Sequence, residues 1–214
     1  MIGQPGKTPQ GPRRPGSGRV LVVLAFAFLA YVLLNGLRAE GPGSQGPAPG
    51  SELPPFAAPV ATSNLDGDVD VARRAGQGDA GDRLACAVRG PDIVNSCQLA
   101  ERGPVVLAFL ATRGARCLDE LDVLERVRRR HPRVQVAAVA IRGDRDALRR
   151  LVRERGWSFP VAYDHDGILA NLYGVAVCPH LTFARRGGRV SGTLLGRQGD
   201  RVLERRFAAV ERGA

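Results

Sequence analysis

From Pro104 onward the sequence predicts a mixed α/β sandwich, a sheet flanked by helices. Three observations carry this. The apolar run Pro104 to Ala111 reads as a fully buried strand. After the polar turn TRGAR, Leu118, Leu121, Leu124 and Val127 recur at helical spacing, which predicts a helix over 117–131 starting near Cys117. The alternation then continues to the C-terminus. Strand Val134 to Ile141 precedes helix Asp144 to Arg155. Strand Pro160 to Tyr163 precedes a DHDG turn and a short helix, Ile168 to Tyr173. A strand from Leu181, a Gly187-Gly188 turn, a strand Val190 to Leu195 and a helix from Asp200 to Glu211 close the chain. Strand–helix alternation gives parallel pairs, and the terminal hairpin adds antiparallel ones.

The segment ahead of this domain has a different character. Lys7, Arg13, Arg14 and Arg19 precede an apolar run, and the 18 residues from Val20 to Leu37 approach the minimum for a membrane-spanning helix. Cleavage as a signal peptide is the alternative, giving a secreted domain. The long apolar region and the poor site at Leu37-Arg38-Ala39 favour an uncleaved signal anchor. Positive residues before the span place residues 1–19 in the cytoplasm and the rest outside. Glu40 to Pro59 is rich in Gly, Pro, Ser and Ala, so residues 38–53 read as a linker to a domain spanning 54–212.

Composition excludes some classes. The 44% hydrophobic content is ordinary for a packed core. The net charge of +10 rests on arginine, with Lys7 the only lysine. Those arginines are scattered among Asp and Glu without aromatic interleaving, which argues against a nucleic-acid surface. Arg128 to Arg130 suits a helix C-terminus on a solvated face.

The stretch Phe109-Leu110-Ala111-Thr112-Arg113-Gly114-Ala115-Arg116-Cys117 resembles the active-site segment of thioredoxin-like proteins, in particular redoxins and membrane-anchored disulfide reductases. There a strand ends in F-x-A-T-W-C-x-x-C, and the helix starts at the first cysteine. Gly114 stands at that first position, so only the second cysteine of the pair is kept. Tyr163 to Val190 resembles the redoxin stretch in which Asp-x-Asp-Gly leads to Tyr-Gly-Val, a cis-proline, Thr-Phe and a hairpin; Pro179 matches the proline. Pro54 to Asp68 loosely resembles the A-P-x-F and Leu-Asp-Gly start of redoxin domains. Arg73 to Gly103 is longer than a redoxin has there, and reads as a loop-rich insertion with short strand pieces around Ala85 to Val88.

The resemblance implies a thioredoxin-like fold with a central mixed β-sheet flanked by helices, following the N-terminal transmembrane helix. In that fold the proline faces the helix start and the residue before it lines the redox site. That residue is Cys178. Cys117 and Cys178 are therefore expected close together, replacing C-x-x-C in thiol–disulfide exchange centred on Cys117. Arg113 and Arg116 flank the site and favour thiolate, as does a helix start. Pro179 shapes the substrate groove beside Gly114 by leaving a backbone edge open. For His180, where the family often has Thr, two readings stand side by side: a group that approaches Cys117 and lowers its pKa, or a partly exposed strand residue. The bland alternative is a pair of reduced, buried cysteines used as small apolar residues.

Four cysteines in an exported domain suggest disulfides, with three possible connectivities. Cys86 with Cys97 would close a short loop as a structural staple. No C-x-x-C occurs, which argues against a metal site. The peroxiredoxin pattern P-x-x-x-T-x-x-C is absent, since Leu110 and Gly114 stand at its proline and threonine positions. Of the histidines, His131 is expected to be a solvated helix end, and His165 lies in the DHDG turn. That turn is too short for a calcium loop, and no nucleotide fingerprint is present, so no cofactor is expected. The expected function is a membrane-tethered, extracytoplasmic thiol–disulfide oxidoreductase acting on protein or small-molecule thiols and disulfides. The alternatives are a non-catalytic interaction module and a thiol peroxidase.

Overall fold

The computed structural model describes residues 17–38, 45–65, 84–112, 115–141 and 143–213, with side chains absent from the description at 17–19 and 33–38. The chain divides into two compact units, Met1–Glu40 and Gly41–Ala214. In the first, helix α1 spans Ser17–Arg38. Its large apolar side chains, such as Phe26 and Phe28, are exposed. Among the described residues, no helix is long and apolar enough to cross a membrane. The expected span at Val20 to Leu37 has described side chains only at 20–32, and residues 1–16 of the expected cytoplasmic tail lie outside the described residues.

The second unit is built on a five-stranded mixed sheet in the order β5-β4-β3-β6-β7. Its strands are β3 (Val105–Leu110), β4 (Gln135–Ile141), β5 (Val161–Asp164), β6 (His180–Ala184) and β7 (Val190–Leu195). Central β3 is buried at every position, as a strand with both faces covered must be. It runs parallel to β4 and antiparallel to β6, with Phe109 opposite His180. β4 pairs parallel with β5, and β6 antiparallel with β7.

The pleat sends alternate residues to opposite faces. Val106, Ala108, Leu110, Leu181 and Phe183 meet Leu118, Leu121, Leu124 and Val127 of α3 (Ala115–Arg130) and Leu203, Phe207 and Val210 of α6 (Asp200–Arg212). Leu148 of α4 (Arg145–Arg155) joins that cluster. Val105, Leu107 and Phe109 face the other way. They meet Leu99 of α2 (Ser96–Arg102), Leu169 of α5 (Ile168–Leu172), and Tyr173. A two-stranded ribbon, β1 (Ala57–Pro59) with β2 (Ile93–Asn95), supplies Ala58 and Val94 to this second core.

Hydrogen bonds explain several motifs. The DHDG turn is a cap: Asp164 accepts from the backbone N–H of Leu169 and Ala170 at 3.2 and 3.0 Å, and Gly167 takes φ +80°. Burial pushes the Asp164 carboxyl up, against the pull of those N–H groups. The basic run is paired, with Arg128 and Arg129 on Glu125 and Arg130 on Glu204. Burial raises the Glu125 pKa, but hydrogen bonds from Ser158, Arg128 and Arg129 outweigh it and bring it to about 2.

Three expectations are corrected. The N-terminal part of the unit begins earlier than Pro54. Gly46 and Pro47 are buried, and Gly50 and Leu53 donate to the carbonyls of Val190 and Gly188 at 2.8 and 2.7 Å, so part of the expected linker lies along the terminal hairpin. The stretch around Ala85 to Val88 is a 3-10 turn rather than a strand, and the supposed loop-rich insertion ends in β2 and α2. Asn95 caps α2 by accepting from Gln98 N–H, a local signal hidden inside a polar stretch. His131 is not solvated. Its ring nitrogens lie 2.8 Å from Glu211 and 3.1 Å from Glu204, tying the end of α3 to α6.

Glu120 of α3 is completely buried and accepts from the backbone N–H of Gln198 and Gly199, each at 3.0 Å. Glu120→Ala would leave those amides without their acceptor, so chemical denaturation should show a loss of about 1–3 kcal/mol. Glu204→Ala, which removes a partly exposed pair, should cost less than about 1 kcal/mol.

Candidate thiol–disulfide site

Antiparallel pairing decides where the site forms. The C-terminal end of β3 lies beside the N-terminal end of β6, so the loop leaving one faces the loop arriving at the other. Ligand and reactive sites of open α/β sheets gather at such carboxyl ends. The chain leaves β3 through Ala111 and Thr112 and starts α3 at Ala115. It reaches β6 through Val177, Cys178 and Pro179.

Cys117 and Cys178 meet there in a disulfide, with Cα atoms 5.4 Å apart, inside the usual Cα range of disulfides. The Cys178–Pro179 peptide bond is cis. Cys117 is the third residue of α3, two residues past the helix start, and is only 3% exposed. Its side chain belongs to the core cluster with Leu118 and Leu121. Cys178 is half-buried and packs against the same cluster. Its sulfur accepts a hydrogen bond from the Ala111 N–H at 3.2 Å and lies 3.6 Å from the Phe109 carbonyl oxygen.

The groove residues divide. Arg116 is exposed on the first turn of α3, and Pro179 is buried. Arg113 and Gly114 lie outside the described residues. The Pro179 carbonyl accepts from the Gly196 N–H at 2.8 Å, so that part of the expected open edge is occupied by the end of the terminal hairpin.

His180 is corrected outright. It alternates with Leu181 along β6, so its ring points to the face of the sheet opposite Cys117. It stacks edge-on against Phe109 at 5.6 Å, a member of the second core, and its Nε2 lies 3.3 Å from Thr182 Oγ1. Burial pushes it down to about 4, so near neutral pH it carries no charge to assist a thiolate. Gly46 covers this ring at φ +83°; a Cβ there would come within 2.9 Å of the imidazole. Neither this cover nor the Ala111 N–H bond to sulfur leaves a sequence signal, because both arise between segments distant in the chain.

Cys86 and Cys97 form the second disulfide, also with Cα atoms 5.4 Å apart, across 11 residues between the 3-10 turn and α2. Among the described residues no group of His, Cys, Asp and Glu could hold a metal ion.

The fold is similar to that of solved disulfide oxidoreductases. A secreted Mycobacterium tuberculosis disulfide oxidoreductase homologous to Escherichia coli DsbE is 25% identical, over 55% of this chain and 88% of that one, with a TM-score of 0.50. Mycobacterium tuberculosis DsbF, solved in mixed oxidised and reduced forms, is 29% identical over 55% of this chain and 87% of its own, with a TM-score of 0.50. A putative thiol:disulfide interchange protein DsbE from Chlorobium tepidum covers 76% of this chain and 97% of its own at 19% identity and a TM-score of 0.59, a likeness of fold. The chain has a thioredoxin-like fold. No family model matches it, and neither does any curated protein.

Within the thioredoxin-like fold, His180 gives the domain an acid-side sensitivity. The unfolded imidazole binds a proton below about pH 6.5, and the buried one only near about pH 4. Between those values the unfolded state holds more protons, so stability rises with pH across the window and is complete above it. Urea unfolding should show the domain less stable at about pH 4.5 than at about pH 7, by at most about 3 kcal/mol. His180→Asn should lose that part of the pH dependence.

Proposed function

We propose that this protein is a thiol–disulfide oxidoreductase in which the Cys117–Cys178 pair takes the place of the usual C-x-x-C. The observation that carries this reading is the cross-loop disulfide itself. It lies at the carboxyl end of β3, and one of its two cysteines, Cys178, is half-buried with its sulfur hydrogen-bonded to a backbone amide. Disulfide oxidoreduction is also what the name of the similar secreted Mycobacterium tuberculosis protein describes. A pair that closes to a bridge and reopens to two thiols can pass two electrons to or from a substrate disulfide. Gly114 then marks where the first motif cysteine has been given up, and Arg116 adds positive charge beside the pair. Cys86–Cys97 acts as a staple that holds α2 to the preceding 3-10 turn.

The domain works outside the cytoplasm, tethered by Val20 to Leu37. The support is an apolar helix with basic residues ahead of it, exposed Phe26 and Phe28, and four cysteines all engaged in disulfides. Its partners are thiols or disulfides of exported proteins or small molecules.

Full-length protein should catalyse exchange between dithiothreitol and a peptide disulfide. Cys117→Ser with Cys178→Ser should return the rate to that of the uncatalysed reaction, while Cys86→Ser with Cys97→Ser should retain exchange. Equal turnover without Cys117 and Cys178 would sink the reading. Cell fractionation should find the whole chain with membranes, and a chain lacking residues 20–37 in the soluble fraction.

A further inference from the structure

The two cysteines of the candidate pair are unequal in the structure, and the inequality orders the chemistry. Resting on the exchange reading above, we infer that Cys178, the residue ahead of the cis-proline, is the thiol that meets substrate, and that Cys117 is the buried resolving thiol. This reverses the roles expected from the helix position of Cys117.

Access is the first ground. Cys117 is 3% exposed, held inside α3 among Leu118, Leu121 and Leu124. A substrate sulfur must approach along the axis of the bond that breaks, and a side chain only 3% exposed within the core cluster offers almost no such approach. Cys178 is half-buried, and the two residues before it, Ala176 and Val177, are exposed, with Val177 at 45%. An incoming sulfur can reach Cys178 from that side.

Charge stabilisation is the second ground. The Ala111 N–H points at Cys178 Sγ from 3.2 Å, a hydrogen bond that strengthens when the sulfur becomes a thiolate. The Phe109 carbonyl, which would favour the protonated thiol, is farther away at 3.6 Å. The donor is a backbone amide at the end of β3, so it is held in place by the sheet and needs no side chain.

The steps balance in either direction. In reduction, the Cys178 thiolate attacks one sulfur of a substrate disulfide. The Cys178–substrate S–S bond forms, the substrate S–S bond breaks, and the departing thiolate takes a proton from water. Cys117 then loses its proton to water and attacks Cys178 Sγ. The 117–178 bond forms and the second substrate thiolate leaves. Two electrons have passed from the pair to the substrate, which ends as a dithiol. In oxidation a substrate thiolate attacks Cys178 Sγ and Cys117 leaves as the thiolate; the second substrate thiol then loses its proton to water and attacks the bound substrate sulfur, so the substrate disulfide forms, the Cys178–substrate bond breaks and Cys178 leaves as the thiolate. Cys178 carries the mixed disulfide in both.

The test uses the full-length chain with Cys86–Cys97 oxidised. Cys117→Ser leaves only Cys178 free, and Cys178→Ser leaves only Cys117. Each is mixed with excess dithiobis(nitrobenzoate), and release of the coloured thiolate is followed. The Cys117→Ser protein should react at least about ten-fold faster. An equal or faster reaction of the Cys178→Ser protein, with its thermal unfolding unchanged, overturns the assignment. A second measurement covers a variant that does not fold. Wild-type protein with Cys117–Cys178 reduced and Cys86–Cys97 kept oxidised is mixed with excess peptide disulfide and acid-quenched, and the adduct is mapped by mass spectrometry. An adduct on Cys178 supports the order and one on Cys117 overturns it. Catalysis by wild-type protein in the exchange assay is scored separately. If that is absent, the exchange reading falls; if it is present while the adduct sits on Cys117, only the assignment of roles falls.

Discussion

The antiparallel register between β3 and β6 is the constraint on which the rest of this molecule depends. Pairing Phe109 with His180 sets the end of one central strand beside the beginning of the next. Two loops whose cysteines stand 61 positions apart are thereby brought face to face, and the Cys117–Cys178 bridge spans them. A register slip of one residue would exchange the faces of β6. Leu181 and Phe183 would leave the α3–α6 core, and His180 would be driven into it.

The two faces of the sheet serve different ends. The face under α3 and α6 holds the Cys117–Cys178 bridge, and it is locked from several directions. Glu120 accepts from Gln198 and Gly199, and Gly196 donates to the Pro179 carbonyl, so the loop before α6 is fastened both to the helix carrying Cys117 and to the residue following Cys178. His131 fixes the far end of α3 between Glu204 and Glu211. The opposite face holds His180, Phe109 and Tyr173 in an aromatic cluster, with Tyr173 donating to the Pro54 carbonyl at 2.6 Å.

Much of the architecture was legible because period and punctuation are local properties. The buried run at Val105–Leu110, the 3.6-residue leucine spacing of α3 and the glycines of the terminal hairpin each state their own conformation. The early residues and the stretch before β3 were harder. Pro47 and Gly46 belong to a Gly/Pro-rich segment whose composition signals a tether, yet both are buried, Gly46 against Thr193 and His180 of the terminal strands, and only the tertiary neighbours make that worthwhile. The helix α2, seven residues long, is too short for a periodic pattern to stand out.

At the site, the sequence by itself determined that a cysteine follows the central strand and that another precedes a proline at the head of the next. Resemblance to a known segment suggested that they meet. What the tertiary structure alone decided is how unequal they are. Exposure depends on what surrounds a side chain in space, so nothing in the order of residues says that Cys117 is enclosed by core leucines while Cys178 keeps an open side. Strand alternation likewise turned His180 away from Cys117, although the two had looked like neighbours. The amide of Ala111 joins the site for the same reason: the fold brings a backbone N–H, which every non-proline residue has, to a sulfur 67 positions away.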